Sequence, residues 1–213
     1  MSVINGTFNQ TVKGSREFGG TVVVFEGKPE LLIGGFNFNL EDLPAPGDVL
    51  PCGTPVYCDE ATRKIVPVIT GTIESFDTSA KTVTIADHGF GQTAFKVGDT
   101  IALLGNDITS AMSSYATVTA KDGNVLTLSG NLQGAGIGAP LVQVDATTKK
   151  LKATPNALLP YDVVRDADAI SVDGDGAWKN DRPVLERRMP PVNNAIKTAL
   201  ANAGCQFKWS NRK

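Results

Sequence analysis

Between residues 69 and 141 the chain reads as short alternating strands separated by turn signals, with no helical periodicity among them. GTIESF and KTVTIAD flank Asp77-Thr-Ser-Ala, and YATVTA and NVLTLSG flank Lys121-Asp122-Gly123. Between these pairs FKVGDTIALLG supplies a further strand after a Val-Gly-Asp turn. Turn residues set between period-two apolar segments signal hairpins. Strands of this kind bury their apolar faces only by closing on one another, so the stretch is expected to form a small β-barrel or sandwich. The fold class expected for the whole chain is mainly β.

One helix is expected, from Pro191 to Ala203. Val192, Ala195, Ile196, Ala199 and Leu200 recur at three- and four-residue steps, Pro190 and Pro191 fix the start, and Gly204 suits the position after the last turn. Cys205, Phe207 and Trp209 then alternate along a closing strand.

The bulk numbers exclude several functions. At 213 residues the chain can hold one large or two small domains, and 41% hydrophobic residues suffice for a core. With 20 basic and 22 acidic residues interspersed, a net charge of -2 provides no field for nucleic acid or an anionic membrane. No apolar run approaches the roughly 20 residues of a membrane-spanning helix, and MSVINGTFNQ lacks a basic start and an apolar stretch. Synthesis in the cytoplasm without a cleaved export signal is the expectation. Cys52, Cys58 and Cys205 are read as small buried apolar residues, because their number is odd and no zinc spacing occurs.

Residues 1–45 read as an N-terminal arm with a hairpin. Thr21–Phe25 and Glu30–Phe38 suggest two strands joined by Glu26-Gly27-Lys28-Pro29. So short a segment buries its own apolar side chains poorly, which makes Phe8, Phe18, Phe25, Phe36 and Phe38 candidates for packing on a partner surface or on the rest of the chain. The arm is expected to be dispensable for folding of the core.

After the arm, TPVYCD and KIVPV form a hairpin around Glu60-Ala-Thr-Arg, and Pro55 and Pro67 place these strands at an edge or start of a sheet. Beyond residue 141, LVQVDATTKKLKAT reads as a second hairpin whose turn, Asp145-Ala-Thr-Thr, echoes Asp59-Glu-Ala-Thr. PGDVL (46–50) and VGDTI (97–101) share turn chemistry. A core made of 46–68 and 142–213 is therefore interrupted by an inserted β unit, 69–141, expected to be removable without unfolding what remains.

No catalytic, cofactor or metal site emerges from the spacing. Gly134-Ala-Gly136-Ile-Gly138-Ala139 matches a dinucleotide letter pattern, but Pro140-Leu-Val-Gln-Val continues as strand where a helix N-terminus is required. A calcium loop begun at Asp166 or Asp173 places Ile170 or Ala177 at a ligand position, leaving only a non-standard cation turn at Asp173–Gly176 to weigh against a solvated one. His88 has no nucleophile in a suitable context, and Asp59 and Glu60 share an open hairpin tip. Glu186-Arg187-Arg188 suits salt bridging better than anion recognition.

PGDVLPCGTPVYCD, LLPYDVV, the Asp-Gly turn, VLERRMP and the terminal AIKTALANAGCQFKW together resemble the lambda-type head decoration proteins and related head-fibre proteins of tailed bacteriophages. The resemblance lies in the order of elements. It implies a non-enzymatic virion protein on the capsid exterior, with the major capsid protein as partner, a homotrimeric state and an arm that joins capsid sheets. The inserted unit and the long arm depart from that pattern and suggest an outward-projecting head fibre. The alternative function is a glycan- or cell-surface-binding β module.

Overall fold

A computed structural model describes residues 23–32, 35–87 and 92–211. The strands before the insertion are β1 (Glu30–Leu31), β2 (Phe36–Phe38), β3 (Val49–Leu50), β4 (Pro55–Asp59) and β5 (Lys64–Pro67). Those of the insertion are β6 (Thr70–Asp77), β7 (Thr82–Ile85), β8 (Thr100–Leu103), β9 (Tyr115–Asp122), β10 (Val125–Leu128) and β11 (Pro140–Val144). After it come β12 (Ala157–Leu158), β13 (Val163–Val164), β14 (Asp173–Gly174), β15 (Ala177–Leu185), helix α1 (Asn194–Asn202) and β16 (Gln206–Ser210).

The insertion closes into a six-stranded barrel in the order β10-β7-β6-β11-β8-β9, with every neighbouring pair antiparallel. Closure removes the free edges that such short strands would otherwise present. The barrel extends to Val144, three residues past the expected boundary at 141, because β11 must run alongside β8 to seal it. Its two ends meet where the Gln143 N–H donates to the Ile69 carbonyl at 2.9 Å.

The second sheet runs β1-β15-β12-β4-β5-β2-β14, and β16 lies parallel to β15. This sheet corrects three expectations. The supposed arm is part of it from Val24 onward: Phe25 bridges to Val184, β1 pairs with β15, and β2 lies between β5 and β14. Thus, among the described residues, the two candidate arm strands pair with distant strands and not with each other, and the larger sheet offers the apolar surface on which Phe36 and Phe38 are buried. β4 and β5 are interior, with Pro55 as first and Pro67 as last residue, positions where a missing N–H is tolerated. The hairpin expected after 141 shrinks to one bridge, Val144 with Leu151, and does not pair with the β4–β5 hairpin.

Loop chemistry is repeated more widely than the letters suggest. Asp59, Asp77 and Asp145 each accept the N–H two residues on, from Ala61 (2.9 Å), Ser79 (2.7 Å) and Thr147 (3.0 Å). Each loop then turns through a basic residue in the left-handed region, Arg63, Lys81 or Lys149, with φ of 56, 54 and 59°. The likeness of PGDVL and VGDTI is also physical: Asp48 N–H donates to Ala45 and Asp99 N–H to Lys96, around Gly47 and Gly98 at φ 89 and 94°. Such a φ at the third residue of a turn favours glycine.

Helix α1 begins at Asn194, later than the prolines suggested. The Asn193 side chain caps it by accepting the Ile196 N–H at 2.9 Å, so Pro190 and Pro191 belong to the extended approach. Gly204, at φ 90°, terminates it.

One apolar cluster runs without a break from Phe36, Phe38, Leu50 and Ile65 of the sheet into Ile69, Ile73, Phe95 and Leu126 of the barrel. A second joins Ile196 and Leu200 of α1 to Ala102, Ile108 and Val142 of the barrel and to Val24 and Phe25. Polar ties reinforce this contact. Lys121 pairs with Asp48 at 2.7 Å, and Lys96 Nζ donates to the Leu43 carbonyl at 2.6 Å and to that of Glu41.

Gly53 marks the tightest point of the chain's approach to Met189. It has φ 84°, and a Cβ there would sit 2.6 Å from the Met189 Cβ. Gly53→Ala is expected to cost about 2–5 kcal/mol, combining left-handed strain of roughly 1–2 kcal/mol with overpacking of roughly 1–3 kcal/mol. Denaturant unfolding measures it, and a loss under about 1 kcal/mol would show that the Met189 segment yields freely.

Candidate binding site

The proposed partner-binding phenylalanines do not form a surface. Phe25, Phe36 and Phe38 retain 5%, 0% and 3% of their exposure, so they pack within their own chain, and their assignment to a partner surface is corrected. The reason is topological, because strand pairing with β5, β14 and β15 turns these side chains onto the core. Phe8 and Phe18 lie outside the described residues, as does His88.

The other sequence candidates are occupied locally. Glu186 pairs with Lys197 at 2.5 Å, Arg187 donates to Asn211 at 2.8 Å, and Arg188 donates to the Val23 carbonyl at 3.4 Å, the intrachain form of the expected salt bridging. In the aspartate-rich segment, Asp162 accepts the Cys52 N–H at 2.8 Å, Asp175 accepts the Tyr161 hydroxyl at 2.9 Å, and Asp173 is part of β14. No cluster of three or more metal-ligating side chains occurs among the described residues. The glycine-rich run 134–139 leads directly into β11. Glu60 pairs with Arg63 at 2.6 Å on the open hairpin tip.

Cys52 and Cys58 are buried as expected, whereas Cys205 is half-buried and its thiol donates to the Asn156 carbonyl at 3.0 Å. Burial pushes the Cys58 thiol up to about 12 and that of Cys205 up to about 11, the reverse of what a nucleophile requires. Asp99, at the turn before β8, is a buried carboxyl. Desolvation raises its pKa, opposed by hydrogen bonds from the Lys96 N–H at 2.9 Å and from Gln143 Nε2 at 2.6 Å.

A carboxyl whose folded pKa is raised contributes stability that is greatest below its unfolded value of 3.8 and is lost as pH rises through the folded value. Asp99→Asn removes this loss and can draw on Gln143 Oε1, which is buried and lacks a hydrogen-bond partner. The stability difference, variant minus wild type, is therefore expected to grow as pH rises from about 4 to neutrality. Urea titrations of both proteins across this range test it; a difference independent of pH would show that Asp99 is not destabilised by ionisation.

An open concavity of about 810 Å³ lies elsewhere, among segments that no sequence motif links. One wall is the outer face of α1, with Asn194, Thr198 and Asn202; the second is the loop after β8, with Asn106, Asp107 and Thr109. Tyr57 of β4 and the run 154–156 close the third side, and Ile108, Ala195 and Ala199 supply apolar patches. All three walls are anchored. Asn193 Nδ2 donates to the Gly105 carbonyl at 2.8 Å, Ile108 is buried beneath the helix, and Asn156 donates to the Cys58 carbonyl (2.9 Å) and accepts its N–H (2.8 Å).

Hydrogen bonds from Ser110 and Thr109 hold the Asp107 carboxyl well below the usual carboxylate range and use its acceptor capacity within its own loop. In contrast, the amides of Asn106, Asn194 and Asn202 and the Tyr57 hydroxyl have no partner among the described residues. Nothing local in the sequence could reveal this groove, because its walls come from four segments spread between Tyr57 and Ala203. The only signal was that the solvent face of α1 carries asparagine and threonine in place of the usual charges.

Comparison with protein-family models, with curated proteins and with solved structures finds no match to this chain. The fold by itself defines a mainly β protein with one short helix near its C-terminus.

Proposed function

We propose that the protein is a structural, non-enzymatic component of a tailed-phage virion, attached to the outer capsid surface as a head fibre or decoration protein. What supports this reading is the meeting of the two segments that carry the resemblance. Strands from 46–68 and from 157–210 share one sheet, while the barrel between them enters and leaves at the adjacent residues Ile69 and Gln143. That is the arrangement of one core interrupted by an inserted barrel that stays packed against it.

Attachment of this kind relies on main-chain pairing by an extended segment, multiplied by copy number, and needs no chemical site. With Phe25, Phe36 and Phe38 committed to the core, the contact with the major capsid protein is assigned in this proposal to residues 1–22, which contain Phe8 and Phe18. Self-association as a homotrimer belongs to the same proposal. The test mixes the purified chain with capsids lacking it and follows co-sedimentation. Full-length protein is expected to bind saturably in trimer multiples, and a chain lacking residues 1–22 to remain folded but unbound. Failure of the full-length protein to sediment with any capsid shell of its phage would overturn the reading.

A further inference from the structure

We propose that the groove between α1, the 105–109 loop and Tyr57 is a binding site for a neutral oligosaccharide. The proposal is independent of capsid attachment and rests on what the groove offers a ligand.

A saccharide presents hydroxyls that both donate and accept, together with apolar C–H faces. The three uncommitted asparagine amides each supply two donors and an acceptor, which matches neighbouring hydroxyl pairs. Tyr57 adds an aromatic body with a polar tip, suited to a sugar's C–H face and rim hydroxyl. A volume of about 810 Å³ lies within the roughly 300–1,000 Å³ usual for ligand sites.

The same lining argues against other ligands. It contains no lysine or arginine, and its single charge is the carboxylate of Asp107, so phosphates, nucleic acid and acidic sugars meet repulsion without a counter-charge. An extended peptide would need a free strand edge. β4, which carries Tyr57, is already paired on both sides by β12 and β5. Anchoring of the walls means that little conformational freedom is lost on binding, which shallow saccharide sites require to reach useful affinity.

The test titrates the full chain with maltopentaose, cellopentaose, N-acetylglucosamine pentamer and a neutral mannan. Binding is followed by calorimetry and by saturation transfer from protein to sugar protons. At least one probe is expected to bind saturably, with transfer strongest to ring C–H protons and binding weakened by sulfation of the same sugar. Asn202→Ala, on the exposed helix face, should weaken binding about tenfold or more with unchanged melting temperature, and Tyr57→Ala should weaken it at least as much, whereas Tyr57→Phe keeps the ring, the fold and most of the affinity. Absence of saturable binding to all four probes at millimolar concentration would overturn the proposal. So would binding that both alanine variants leave intact, or tighter binding of the sulfated sugar. Capsid co-sedimentation is read separately, so failure here leaves the attachment reading standing.

Discussion

A chain lacking residues 1–45 is expected to show no cooperative unfolding transition. The deletion removes Val24, Phe25, Phe36, Phe38 and Leu43, all buried, together with the two strands that flank β15 and β5. Truncating a single buried phenylalanine to alanine typically costs about 3–5 kcal/mol, and whole domains are stable by only about 5–15 kcal/mol. Losing three phenylalanines, about 9–15 kcal/mol together, is enough to consume that margin. The deletion also exposes the flank of β5 and leaves β14 without its partner β2, which invites aggregation. Circular dichroism melting and two-dimensional amide NMR are the measurements. A sharp melt with dispersed amide signals in the truncated chain would show that residues 24–43 pack on a core that is complete without them.

Replacing 70–143 with a Gly-Ser linker is expected to be equally destructive, even though the ends of this segment are neighbours and a short linker could join them. Geometry permits the excision, but packing does not. Ile69 and Leu50 would face water where the barrel now continues their cluster, and α1 would lose Ala102, Ile108 and Val142 from beneath Ile196 and Leu200. Lys121 and Lys96 would vanish from Asp48 and from the Leu43 carbonyl. The excised protein should bind a hydrophobic dye and melt over a broad range, as loosely packed states do. A two-state melt with native-like heat absorption per residue would establish the barrel as an independent domain.

Both outcomes reverse what the sequence suggested, and the reversals have one cause. Hairpin signals within residues 69–141 were legible because turn chemistry and alternation act over a few residues: Lys121-Asp122-Gly123 does join β9 to β10, and Asp77-Thr-Ser-Ala does join β6 to β7. The likeness of the Asp59 and Asp145 loops was legible too, but the Asp77 loop was not grouped with them. Its fourth residue is alanine, and the shared feature is an aspartate acceptor with a left-handed fifth residue, which letters do not display. The helix was found from its period, while its first turn was misplaced because Asn193 outranks the prolines as a cap.

By itself the sequence determined the strand-rich class, the hairpin tips between β4 and β5, β6 and β7, and β9 and β10, the amphipathic helix and the burial of Cys52 and Cys58, since each depends on local periodicity, turn geometry or burial preference. Only the tertiary structure decided that the phenylalanines of residues 25–38 belong to the chain's own core, because their strands pair with partners 27 to 159 residues away in sequence. It also decided that the barrel and sheet share one interior, and that helix, loop and Tyr57 enclose a neutral groove. A phenylalanine in a short strand carries the same apolar area whichever surface covers it. Which surface does so is fixed by long-range strand pairing, and that pairing leaves no mark on the residues nearby.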